Sequence, residues 1–349
     1  MRTIKKKAMS ARILPALLLA SGLPAVTSCD KVPAGEQPGD TPIAFNSAVS
    51  TKAPVEPVES ENDMTEFAVW AAYYNSDGTM TEPFFNTKVY KKDGTWTYDD
   101  LKYWLEGDWH FEAFYPLPST LHVEKPVQEQ DALDVYFTAP KGEGAALEGL
   151  TVNYYYGPTA SHDLMTAEYT RTYTATTPDA SAVDLSFNHL LSRVTISVKT
   201  NSSNVSLTSL TFSGMSLLGA YNTAENPDKW HLLTSIPELS NVQAGSFSAD
   251  PSKITSPLPS NGTPVEVLSD LLLIPQTPGD RTNGLAPINV VASYTLNGGQ
   301  PETKTVNLPS TPAWEPGRHY RYTLAVGSAD VTLNIQVDDW DKENYNVSW

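Results

Sequence analysis

Cysteine is almost absent: Cys29 is the only one in 349 residues. No disulfide can form within the chain, so stability must come from packing and size. Basic residues are scarce, 23 Lys and Arg against 40 Asp and Glu, for a net charge of −17. That balance excludes nucleic acid and electrostatic adhesion to anionic lipid, since both need a basic face. After the N-terminal segment no apolar run approaches the roughly 20 residues that a membrane-crossing helix requires. Catalytic signatures are missing as well. There is no His-Glu-x-x-His, no Gly-x-Ser-x-Gly and no phosphate loop. Gly142–Glu143–Gly144 opens a glycine-rich fingerprint, but Leu147 stands where the third glycine belongs. The histidines His110, His122, His162, His189, His231 and His319 are scattered, with no two at metal-ligand spacing. Neither an enzyme, a cofactor nor a metal site is expected. Helical periodicity longer than two turns is missing too.

What is present begins with a sorting signal. Arg2, Lys5, Lys6, Lys7 and Arg12 make a positive start without an acid, and the apolar run Ile13–Ala20 follows. Val26–Thr27–Ser28–Cys29 then resembles a bacterial lipobox, in which cleavage leaves Cys29 as an acylated N-terminus. The alternative is an ordinary secretory signal with an incidental cysteine. A lone thiol would be a liability in an exported protein, which favours lipidation, and two or more acyl chains suffice for stable anchoring. The first 28 residues are therefore set aside as a lipoprotein signal peptide. Residues 29–40, rich in Pro and Gly, read as a flexible tether.

The remaining roughly 310 residues are long for one core and suit two. Their signal is period two. Phe67, Val69, Ala71 and Tyr73 alternate with other residues, as do Trp109, Phe111, Ala113 and Tyr115. Val194, Ile196 and Val198 alternate with Thr195 and Ser197. Ile288 to Leu296, Tyr320 to Val326 and Val331 to Val337 repeat the pattern. Such alternation puts every second side chain on one face of a half-buried strand. Asp93–Gly94 and Asn297–Gly298 mark hairpin turns. The chain is expected to be all-β, with two antiparallel β-sandwich domains, 41–179 and 180–349. The inward faces of the second domain are taken as Val194, Ile196, Val198, Tyr320–Val326 and Val331–Val337.

Three features invite a functional reading. Trp70, Trp96, Trp104, Trp109 and Tyr154–Tyr156 suit either a sugar-stacking platform or cores and cross-strand pairs, the commoner use of aromatics in β proteins. Asp338, Asp339, Asp341 and Glu343 lack the glycine and ligand order of a calcium loop and read as a solvated strand end. The C-terminus is apolar at alternate positions: Val331, Leu333, Ile335 and Val337, then Trp340, then Tyr345, Val347 and Trp349. These residues are either an edge of their own sandwich or a strand that can be donated to a neighbour.

Six phrases, in order, carry a family resemblance. They are Tyr103–Trp104 together with Trp109 to Pro116, Asp163 to Ala167, Leu185 to Val198, Leu271 to Gln276, Trp314 to Leu324 and Ile335 to Trp340. Together they resemble the fimbrillin family of Bacteroidales, subunits of type V pili and their lipoprotein relatives. The resemblance implies transthyretin-like sandwiches and an outer-membrane lipoprotein precursor held by Cys29. It also implies proteolytic removal of the first strand and assembly with other fimbrillin subunits by strand exchange, at the cell surface. Host glycan or protein is a further partner class. Cleavage in this family commonly follows arginine, yet no arginine lies between Arg12 and Arg171. The accessible loop Thr51–Asp63 offers Lys52 instead. Three roles stay open: stalk subunit, tip or anchor subunit, and non-polymerising surface lipoprotein.

Overall fold

The computed structural model describes residues 41–49, 64–117, 135–138, 151–155, 163–174, 182–223, 230–232, 244–250, 252, 254–278, 287–327 and 331–340. Every named element among them is a strand, nineteen in all, as the period-two alternation requires. Seven form one sheet, in the order β1 (Phe45–Val49), β9 (Val183–His189), β8 (Met165–Tyr173), β5 (Gly107–Tyr115), β2 (Glu66–Tyr74), β3 (Met80–Lys92) and β4 (Thr95–Thr97). Its inner face closes on an aromatic core that includes Phe67, Phe84, Trp104, Trp109, Phe111 and Phe187. The β3–β4 turn is built on Asp93 at φ 53° and Gly94 at φ 80°, the left-handed pair that matches strand twist.

The C-terminal part is a sandwich of two four-stranded sheets. One runs β15 (Val265–Leu273), β10 (Ser192–Lys199), β18 (Arg318–Val326), β19 (Val331–Asp339). The other runs β14 (Gly245–Ser248), β11 (Val205–Met215), β16 (Asn289–Leu296), β17 (Glu302–Asn307). Val194, Ile196, Val198, Tyr320, Tyr322 and Leu324 pack from the first against Leu210, Phe212, Val290 and Tyr294 from the second. A fourth sheet, β13 (Trp230–Leu232), β12 (Leu218–Asn222), β7 (Thr151–Tyr155) and β6 (Val135–Thr138), pairs strands from both halves of the chain.

Four departures from expectation have physical reasons. β1 pairs with β9, and β10 with β18, in parallel; alternation tells which face is buried but not which way a neighbour runs. The junction expected between 179 and 180 precedes β9, whose Val183, Leu185 and Phe187 belong to the N-terminal core, so the crossing comes between His189 and Ser192. Residues Pro38–Trp349 also group as one compact unit. The β7–β12 pairing and a third apolar cluster that includes Trp70, Phe114, Leu190, Leu272 and Trp340 join the two cores. Lastly, the Val331–Val337 face is only half-buried, because β19 is an edge strand.

β10 is buried on both sides. On its outer face Arg193 pairs with Asp270 at 2.5 Å and Thr195 Oγ1 meets His319 Nε2 at 3.0 Å. Burial, with Arg193 and Arg321 nearby, pushes His319 down to about 3, so its ring is neutral at ordinary pH. Ile196→Ala is expected to cost about 2–5 kcal/mol. Thr195→Ala is expected to cost about 1–2 kcal/mol, since Thr195 is itself 2% exposed and hydrogen-bonded. Urea unfolding of both variants checks the order, and a larger loss for Thr195→Ala would reverse the assignment of faces.

Candidate functional site

Residues 41–49 make an unusual connection. Ile43, Phe45 and Ser47 point inward and are buried, while Ala44 and Asn46 are exposed. On one side β1 runs parallel to β9, from Phe45 opposite Val183 to Val49 opposite Phe187, and Val183 N–H donates to Ala44 O at 2.8 Å. On the other side Ile43 N–H donates to Lys102 O at 2.9 Å and Trp104 N–H to Thr41 O at 3.1 Å. The Tyr98 hydroxyl adds a bond to Ile43 O at 2.9 Å; burial pushes its phenol up, opposed by the Lys102 backbone bond. One short segment thus covers the β9 edge of the sheet and joins it to the strip 102–104, which lies between β4 and β5.

Its side chains fill the gap as well. The Phe45 ring lies edge-on to Phe84 at 5.6 Å, Tyr98 at 5.5 Å, Phe111 at 6.1 Å and Phe67 at 6.4 Å. Burying Ile43 and Phe45 contributes roughly 3–6 kcal/mol together. Without the segment, the rings it touches would face water and the β9 edge would lose its ladder partners, which makes that edge a template for another strand. The partner strip 98–104 escaped sequence reasoning, although the Tyr103–Trp104 phrase marks its position.

At the other end, β19 pairs with β18 along its whole length, from Val331 opposite Val326 to Asp339 opposite Arg318. Val331, Leu333, Ile335 and Val337 pack on the C-terminal core. Asp338 and Asp339 form ion pairs with Arg321 and Arg318. These four apolar residues, which the sequence left as either an edge strand or a donated one, pair with β18 and pack on their own sandwich here. Trp340 is 1% exposed; its N–H donates to Gly317 O at 3.0 Å. Its ring stacks on His189 at 4.2 Å and 4°, and His189 Nδ1 meets Asp163 Oδ1 at 2.9 Å. Gly317, at φ 66°, also donates to Leu191 O at 2.9 Å, so one turn ties the start of β10 to the end of β19. His189 is thus held between the Trp340 ring and the Asp163 carboxylate, as a structural residue.

Cys29, Lys52, Tyr345, Val347 and Trp349 lie outside the described residues. Trp70, Trp104 and Trp109 are buried in the cores and Lys91 lies over the half-buried Trp96, so these four do not form an exposed platform. No group of three or more His, Cys, Asp or Glu side chains among the described residues is placed to hold a metal ion.

A family model described as fimbrillin-like matches residues 51–340. The fold is similar to that of a fimbrial protein from Bacteroides vulgatus, with TM-score 0.56 and 16% identity over 86% of this chain and 99% of that one. It is also similar to a proposed cell adhesion protein from Bacteroides ovatus, with TM-score 0.50 and 16% identity over 87% and 99%. No curated protein matches the sequence. At such identities the two structures speak to the fold alone.

Proposed function

The chain belongs to the fimbrillin-like family, and we propose that it is a structural subunit of a cell-surface fimbria, assembled by strand exchange and supporting adhesion. Its role is mechanical rather than catalytic. The observation that carries this reading is the bridging segment 41–49, an apolar plug seated between β9 and residues 102–104. The precursor is held in the outer membrane by a lipid on Cys29. Cleavage after Lys52, three residues beyond the end of β1, releases the plug. The vacated slot then offers an unpaired β9 edge and inward pockets where Ile43, Phe45 and Ser47 stood.

The incoming strand is the terminal segment of another subunit, 341–349. Tyr345, Val347 and Trp349 have the same alternate spacing as the three inward residues of the plug, and such strand addition combines ladder bonds with side-chain pockets. β19 itself stays in place, because the buried Trp340 and the full β18–β19 register hold it. That division of labour keeps the subunit folded while its last nine residues act as donor.

The test is made on protein recovered from the cell surface. N-terminal sequencing and intact mass are expected to give Ala53 as the first residue of the assembled form and diacylated Cys29 in the precursor. Deleting Asp341–Trp349 is expected to leave a folded monomer that no longer enters high-molecular-weight ladders. Ladders that persist after the deletion would refute strand donation. An intact lipidated N-terminus on every copy would make the chain a tip or anchor component instead. The absence of arginine between Arg12 and Arg171 favours that second reading.

A further inference from the structure

A cleft of about 990 Å³ lies between β8 and β9, the β12–β13 pair and the turn leading into β18. Its volume is that of a ligand site, and no part of the assembly scheme uses it. We propose that this cleft binds a neutral oligosaccharide, with Trp230 as the stacking surface.

Trp230 is a fixed platform. Its indole N–H donates to Leu190 O at 2.8 Å, and its ring lies 5.3 Å from that of Tyr221. It also packs on Gly219, where a Cβ would come within 3.1 Å of the ring. The indole is half-buried and lines the cleft. An aromatic surface held this firmly loses little freedom when a ligand settles on it. The C–H face of a sugar ring is such a ligand, apolar on its flat side and polar at its rim.

The rim chemistry matches. Glu168, Asn188, His231 and Glu315 are exposed and line the same cleft. Carboxylates accept hydrogen bonds, while the amide and imidazole both donate and accept; hydroxyl groups need that mixture. No Lys or Arg is among the described residues lining it. Two carboxylates and a net charge of −17 oppose sialylated, sulfated or phosphorylated ligands. An extended peptide would look for backbone partners, and the polar groups here are side chains. The site stands whether or not the chain polymerises.

Saturation-transfer NMR on the full chain, in a detergent without a sugar headgroup, tests this. Chitotriose, N-acetyllactosamine and cellotriose serve as neutral probes, and 3′-sialyllactose as the anionic one. At least one neutral probe is expected to bind and 3′-sialyllactose to bind more weakly. Trp230→Ala is expected to weaken the bound probe by about tenfold or more. Glu315→Gln and Asn188→Ala, both exposed and harmless to folding, are each expected to weaken it by about three- to tenfold. Failure of every neutral probe overturns the proposal, as does equal binding of 3′-sialyllactose. Unchanged affinity in both Glu315→Gln and Asn188→Ala overturns it whatever Trp230→Ala does.

Discussion

Phe45→Ala is expected to lower stability by about 3–5 kcal/mol, the range for truncating a buried aromatic. The residue is 3% exposed and its ring meets four others, so a cavity there is walled by rigid neighbours with little freedom to close it. The neighbouring Asn46→Ala is expected to change stability by less than about 0.5 kcal/mol, since Asn46 is exposed and its side chain bonds to the exposed Asp184. Urea midpoints at constant slope measure both. The N-terminal plug carries little of the stability of its core if the two variants melt together.

Trp340→Ala is expected to cost about 3–5 kcal/mol as well, and to weaken the union of the two cores. Trp340 belongs to the cluster that joins them, with Trp70, Phe114, Leu190 and Leu272. It also covers the buried His189–Asp163 pair. Opening that cover lets water reach a polar pair now held in an apolar setting. Hydrogen exchange followed across a urea series is expected to show the native chain opening as one unit, and the variant losing β18 and β5 at separate concentrations. Coincident loss in the variant would mean that β7–β12 pairing alone couples the halves.

The all-β class and most strand faces were legible because a strand with one buried face must alternate. Val194, Ile196 and Val198, or Tyr320, Tyr322 and Leu324, declare their face without further information. Direction and partnership were not legible: nothing in Phe45–Val49 says that it runs parallel to a strand some 140 residues away. Nor does alternation reveal burial on both sides, which made Thr195 look like a surface residue. The inward set Ile43, Phe45, Ser47 could be read as a short strand. Its second set of partners, Lys102 and Trp104, contacts it through backbone atoms, which carry no residue signature. The cleft around Trp230 draws on six separate stretches of chain, and no local pattern announces such a meeting.

The parallel register of β1 with β9 has a mechanical consequence. A pull along the axis of a strand flanked on both sides loads its ladder bonds side by side, so several must fail at once. A pull across the strand opens them one after another, like a zipper. Residues 41–49 are bonded to β9 along one stretch and to 102–104 along the other, the arrangement in which tension along the strand is resisted in shear. An occupant of this slot therefore comes out more readily by peeling from one end than by traction along its length.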